Sequence, residues 1–291
     1  MDDSVEDSAS TGGSGHRNFM NDTLYNPQPS VKIVVPWHSE IQLQKFLSAW
    51  RTSVDDKRFI FKQDKEKQGC ARTKNAGIKD AIEQKMEVVI ILDDDCFPEA
   101  GQESFVFDAV DLFIQGHLEA LQPVEMELFK TVTNPPSRGT PYYSRSVKLP
   151  VAASMGFWTE VGDYDAVHQL AFGATHPMEF DRAAVFGQYF PLCGMNLAFK
   201  PADWWPWCEF IDVPRFDDIW QGFLWQKKAY AEGYCFNLNG PLVRHSRQSN
   251  VWANLEDETK NLKRNESIWQ KIATSRELDY EELKKRVLTY G

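Results

Sequence analysis

The sequence contains no uninterrupted run of eighteen apolar residues, so no membrane-spanning helix is expected. It has no CxxC pair. The five cysteines are widely spaced, and their odd number fits free thiols in a reducing compartment rather than a disulfide framework. It has no GxGxxG and no GxxxxGK(S/T), which argues against a dinucleotide redox cofactor and against a P-loop kinase or NTPase. Basic charge is in short supply: 32 Lys and Arg stand against 42 Asp and Glu, a net charge of −10. A globally acidic surface repels phosphate backbones, so DNA is a disfavoured partner that only a local basic stretch keeps open. The N-terminus is polar and acidic, without the apolar stretch of a signal peptide, and a cytoplasmic location is expected. What is present is ordinary for a globular chain: 291 residues, 42% hydrophobic and 25% charged, enough for one large α/β domain or two modest ones. Ten tryptophans are more than usual and call for a structural reason.

Residues 1–30 lack apolar periodicity and carry Gly12-Gly13-Ser14-Gly15; they are expected to be a disordered leader, with Met20 a candidate natural start. The fold begins at Val31-Lys32-Ile33-Val34-Val35, a β-branched strand expected to stop at Pro36. Leu43, Phe46, Leu47 and Trp50 recur at helical spacing over 41–50. A second strand is expected over Arg58–Lys62. A helix over 73–85 should turn Ala76, Ile78, Ala81 and Ile82 inward. The run Glu87-Val88-Val89-Ile90-Ile91-Leu92 suits a central strand covered on both faces. This βαβαβ order implies parallel strands joined by right-handed crossovers. Helices are expected over 103–121 and 216–232. Two more are expected in the charged tail after 254, with Ser275 capping the second. The expected organisation is a leader (1–30), one α/β domain (31–254) and a helical extension (255–291). The central sheet should be mostly parallel and flanked by helices.

The strand 87–92 runs into Asp93-Asp94-Asp95, and open α/β sheets place ligands beyond the carboxyl ends of their strands. Adjacent carboxylates raise one another's pKa unless a cation intervenes. Between Met86 and Phe129 there are eleven Asp or Glu and no Lys or Arg. A divalent ion with oxygen ligands, Mn²⁺ or Mg²⁺, would resolve this; a solvated turn with capping aspartates is the plain alternative. An apolar strand feeding a DxD triplet is a signature of nucleotide-sugar transferases, where the metal stabilises the departing diphosphate. The basic stretch 62–79, one helix earlier, offers Arg72 and Lys74 as phosphate contacts, or simply a solvated basic face.

Ile91-Leu92-Asp93-Asp94-Asp95-Cys96-Phe97 resembles the DDDCF signature of the reversibly glycosylated polypeptides, which include the UDP-arabinopyranose mutases. Five further segments agree in order. They are Arg138–Arg145, Ser154–Trp158 with Asp163–Ala166, Leu192–Phe199, Arg215–Gly222, and His245-Ser246 with Ser249-Asn250. The likeness covers about residues 31–270, with one residue inserted near Lys148 and a diverged stretch before Asp93. It implies a glycosyltransferase-A like α/β fold and a site for a UDP-sugar, UDP-arabinose first among them. It also implies Asp93, Asp95 and His245 around a metal, with Asp94 beside the nucleotide. Arg145 corresponds to the family's glycosylated arginine. Its guanidinium is a poor nucleophile, so an electrostatic role suits it better.

Asp217 and Asp218, opening a helix, suit general-base or hydroxyl-orienting work, although helix-dipole complementarity accounts for one of them. Asp163 and Asp165 are candidates for sugar hydroxyls, with a polar turn as the plain alternative. Cys193, Gly194 and Asn196 are expected to line the sugar pocket, Cys193 without a base to make it a nucleophile. Trp204–Trp207 could stack on sugar or cap the core. The resemblance implies interconversion of the pyranose and furanose forms of a UDP-pentose, with self-glycosylation possible in principle. The alternatives are transfer of a pentose or hexose to a protein, glycan or modified DNA base, and a non-catalytic subunit of a homo- or hetero-oligomer.

Overall fold

The computed structural model describes residues 28–65, 69–99, 108–130, 133, 135–141, 146–173, 182–204, 206–210, 212–213, 215–246, 250–275 and 280–289. Residues 1–27 of the expected leader and Arg145 lie outside them. In chain order, β1 (Val31–Trp37), α1 (Glu40–Trp50), β2 (Phe59–Gln63), α2 (Cys70–Glu83) and β3 (Val88–Leu92) form the opening βαβαβ unit. Then follow β4 (Cys96–Pro98), α3 (Ala109–Ala120), β5 (Val124–Met126), β6 (Val147–Leu149), β7 (Val151–Glu160), α4 (Ala166–Phe172), β8 (Ala183–Val185) and β9 (Asn196–Phe199). The chain ends with α5 (Pro201–Trp204), α6 (Asp217–Ala231), β10 (Cys235–His245), α7 (Val251–Thr259), α8 (Leu262–Thr274) and α9 (Tyr280–Thr289).

The main sheet runs β2-β1-β3-β9-β7-β10-β4, with β8 also on β10, while β5 and β6 pair separately. Strands β1, β2, β3, β7 and β10 point one way and β4, β8 and β9 the other, so the sheet is mostly parallel. All five residues of β3 are buried, as a strand covered on both faces requires. Helix α1 covers one face of β2: Phe46 meets Phe59 at 5.9 Å and Phe61 at 6.0 Å between ring centres. Helix α2 covers the other face, where Gly77 seats against Val34 and Lys62. The four α1 positions read from spacing are the four that are buried.

Several local expectations need correction. Strand β1 passes through Pro36 to Trp37, because its pairing with β3 ends at Val34 and no ladder remains on that side to break. On α2, Ala76 is exposed and Gly77 takes the inward place, since only a residue without Cβ fits 2.4 Å from Val34 Cγ1. Among the described residues the tail holds three helices, not two, and Ser275 ends α8 rather than starting its successor. Helix α7 is opened by Asn250, whose side chain accepts from Trp252 N and Ala253 N. It runs across the expected boundary at 254, and α8 and α9 pack on α6.

Most described tryptophans are core residues. Trp50, Trp158, Trp204, Trp207, Trp220 and Trp225 are buried, and Trp204, Trp207 and Trp225 cluster with Phe199. The Trp204–Trp207 segment therefore caps the core; Trp205 lies outside the described residues. No helix among the described residues is long and apolar enough to cross a membrane.

Candidate functional site

The carboxyl end of β3 is held by backbone pairing before any side chain acts. Asp93 N donates to Met195 O at 3.1 Å, and Cys96 N closes the turn onto Asp93 O at 3.1 Å. The chain then enters β4, whose Cys96 lies opposite His245 on β10. Trp50 Nε1 donates to Cys96 O at 2.9 Å and Gln42 Nε2 to Asp94 O at 2.9 Å, so α1 fixes the turn from behind. The result places His245 Nε2 3.6 Å from Asp95 Oδ2.

The other ring nitrogen of His245, Nδ1, lies 2.9 Å from Val161 O, an oxygen that can only accept. Nδ1 therefore carries the hydrogen, and Nε2 faces Asp95. Burial disfavours charge on His245, but the Asp95 carboxylate and the Val161 carbonyl outweigh it and the pKa is raised.

Lys74 enters from α2, almost fully buried. Its Nζ sits 2.7 Å from Asp93 Oδ1 and donates to Gly194 O at 2.9 Å. Burial works against its charge, yet Asp93 and the other acids around it more than offset that, so the ammonium persists. Burial raises the pKa of Asp93, partly countered by Lys74. The Gly194 peptide then links this ion pair to α6: its N–H donates to Asp218 Oδ2 at 3.0 Å. A Cβ at 194 would stand 2.7 Å from Trp207 Cζ2, so the glycine is required by the indole beneath it.

Asp217 and Asp218 open α6, where the helix dipole favours negative charge. Burial nevertheless raises both. Asp218 is pushed up to about 7, by burial and by the charge of Asp217. A carboxyl titrating there is poised to exchange protons at neutral pH. Asp163 lies 3.7 Å from Cys193 Sγ and 3.9 Å from Arg215 Nη2. Burial holds the Cys193 thiol well above its usual pKa, which leaves it a poor nucleophile.

Some expected site residues are engaged elsewhere. Asp165 caps α4, accepting from His168 N at 2.9 Å. Asn196 is fully buried; its Oδ1 accepts from His117 Nε2 at 2.8 Å and its amide donates to Phe157 O at 3.3 Å. His117 is kept neutral by burial, its pKa lowered to about 4. Arg72 pairs with exposed Asp212 at 2.8 Å on the outer side of α2. A cleft of about 690 Å³ between α1, Phe97 and Arg244 contains none of the site carboxylates.

Two residues had no role in the sequence reading: Arg215, quoted there only as the head of a matching segment, and Glu258. Arg215 reaches Asp163 and, at 3.4 Å, buried Glu258 of α7. Its backbone is left-handed, φ +69°, a conformation that costs an ordinary residue about 1–2 kcal/mol. The sequence signals for Arg215 were its place at the head of the Arg215–Gly222 segment and its position two residues before Asp217.

Among the described residues, no group of three or more His, Cys, Asp or Glu side chains is placed to hold a metal ion. Two donors, Asp95 and His245, face one another at 3.6 Å and fit an open Mn²⁺ or Mg²⁺ site, while Asp93 is taken by Lys74. Such ions commonly take one or two protein ligands and fill the rest with water and substrate phosphate. The bond from His245 Nδ1 to a backbone carbonyl is the support that ligating imidazoles usually carry.

A model of the reversibly glycosylated polypeptide family matches residues 81–279. The chain belongs to that family. This member is 30% identical over 225 residues to a pea (Pisum sativum) protein named probable UDP-arabinopyranose mutase 1, covering 70% of this chain and 61% of the relative. It is 28% identical over 200 residues to UDP-arabinopyranose mutase 1 of Arabidopsis thaliana, covering 64% and 54%. Against the Oryza sativa subsp. japonica protein of the same name it is 28% identical over 202 residues, covering 64% and 53%. The family member thus spans between about half and three fifths of these relatives. A solved glycosyltransferase involved in the glycosylation of the major capsid of PBCV-1 aligns over 80% of this chain and 100% of that one. Its 10% identity and TM-score of 0.31 carry no argument about fold or chemistry.

Proposed function

We propose that this family member is a metal-dependent UDP-sugar enzyme that interconverts the pyranose and furanose forms of a UDP-pentose, UDP-arabinose first among them. The observation that carries the reading is the facing of Asp95 and His245 at the carboxyl end of β3, with Lys74 paired to Asp93 beside them. A carboxylate and an imidazole meet there where an open α/β sheet receives its ligand. The ring interconversion is taken from the relatives' names. Asp95 and His245, with Asp93 adjacent, would hold Mn²⁺ or Mg²⁺, whose charge stabilises a departing diphosphate.

The chain's own residues supply the rest. Lys74 fixes Asp93 and, through Gly194, the start of α6. Changing ring size moves protons: the hydroxyl whose oxygen closes the five-membered ring gives one up, and the former ring oxygen takes one. Asp218, with a pKa pushed up to about 7, can accept the first and return the second. Asp163, half exposed beside Cys193 and Arg215, is available to sugar hydroxyls.

The test is incubation of purified protein with UDP-arabinopyranose and Mn²⁺, followed by separation of ring forms. Furanose product is expected; none from a folded, metal-loaded sample rejects the reading. The intact mass of the protein after the same incubation reports self-glycosylation. A pentose increment that vanishes in Arg145→Lys supports modification at that arginine, which lies outside the described residues.

A further inference from the structure

Resting on the UDP-sugar reading, we propose that Arg215 contacts the diphosphate of the donor and that Glu258, from the C-terminal helices, is the positioning residue that aims it. The site gathers Asp93, Asp95, Asp163, Asp217 and Asp218, and an incoming diphosphate needs basic donors among them. Lys74 is committed, buried between Asp93 and the Gly194 carbonyl.

Arg215 is placed differently. Its side chain is 30% exposed, with Nη2 3.9 Å from Asp163 Oδ1 and 3.4 Å from Glu258 Oε1. Contacts that long hold the guanidinium by charge more than by tight hydrogen bonds. Its five-donor fork keeps capacity for a phosphate.

Glu258 has the geometry of an aiming group. It is 3% exposed. Its Oε2 accepts from Ala166 N at 2.8 Å, which locks the carboxylate to the start of α4. Its Oε1 faces Nε and Nη2 of Arg215, each at 3.4 Å. Ala166 follows Asp163 by three residues, so one buried carboxylate sets both members of the Asp163–Arg215 pair.

The experiment titrates wild type, Arg215→Gln, Arg215→Lys, Glu258→Gln and the Arg215→Gln/Glu258→Gln double variant with UDP and with uridine, at fixed Mn²⁺. UDP affinity should fall about 10–100-fold in Arg215→Gln and about 3–10-fold in Glu258→Gln, while uridine affinity stays within about 2-fold of wild type. The double variant should bind UDP no more weakly than Arg215→Gln, because Glu258 acts through that arginine. Arg215→Lys should recover only part of the loss, a point charge lacking the fork. If wild type binds UDP and Arg215→Gln binds it equally well, the inference fails and the UDP-sugar reading survives. If UDP and uridine affinities fall together along with the melting temperature, the pair is merely structural and the inference also fails. If wild type binds neither, the underlying reading fails and takes the inference with it.

Discussion

Replacing Asp218 by Asn separates charge from shape at the opening of α6. In the folded chain this carboxyl is pushed up from 3.8 to about 7. A carboxyl whose folded pKa is raised binds its proton more tightly when folded. Its contribution to stability is complete below about pH 4 and is lost as pH rises through about 7. Three pKa units correspond to a ceiling of about 4 kcal/mol; partial exposure of the residue brings an expected value of about 2. Asparagine keeps one acceptor where Asp218 uses two, toward Gly194 N at 3.0 Å and Ile219 N at 2.9 Å, so one hydrogen bond of about 1 kcal/mol is forfeited. The variant should therefore match or fall about 1 kcal/mol below wild type at pH 5 and exceed it by about 1 kcal/mol at pH 8. Urea melts at pH 5, 6, 7 and 8 measure the gap. A gap that does not change with pH would show that Asp218 titrates like an ordinary surface carboxylate, and the proton-exchange role would go with it.

Lys74→Met should destabilise by about 3 kcal/mol, the low end for a buried pair, because it leaves the partly exposed Asp93 without its cation. Urea unfolding reads this, and a loss below about 1 kcal/mol would mean that the pair contributes no such support. Gly194→Ala drives a methyl into Trp207 and should cost about 1–3 kcal/mol with a change in tryptophan fluorescence. The cost should shrink when Trp207→Phe is added, and an undiminished cost would deny the contact. Asn196→Ala should cost about 1–3 kcal/mol by leaving His117 buried without its acceptor, yet leave UDP affinity unchanged. A drop in UDP affinity at full stability would return Asn196 to the ligand pocket.

The sheet was legible where apolar pattern alone decides the outcome. The run at 87–92 suited a doubly covered strand and forms one over Val88–Leu92, and the spacing of Leu43, Phe46, Leu47 and Trp50 defined one face of α1. Ala76 and Gly77 show where pattern stops: hydrophobicity favoured the alanine, but backbone approach to Val34 decided for the glycine. At the site, the acidic strand end was visible as three adjacent carboxylates without local cations. The tertiary partners were not. Lys74 meets Gly194 across 120 residues and Arg215 meets Glu258 across 43, and nothing in helical or strand periodicity encodes such pairs. Asn196 read as a pocket residue because its motif sits beside Gly194. Alternation along β9 instead turns its amide to buried His117.

The most direct test of the central claim is calorimetric titration of UDP into wild type, Asp95→Asn and His245→Ala, each with Mn²⁺ and again with a chelator. A cation gripped between Asp95 and His245 predicts that Mn²⁺ strengthens UDP binding at least about 10-fold in wild type and by less than about 2-fold in either variant. UDP affinity that is the same with Mn²⁺ and with chelator in wild type would contradict it.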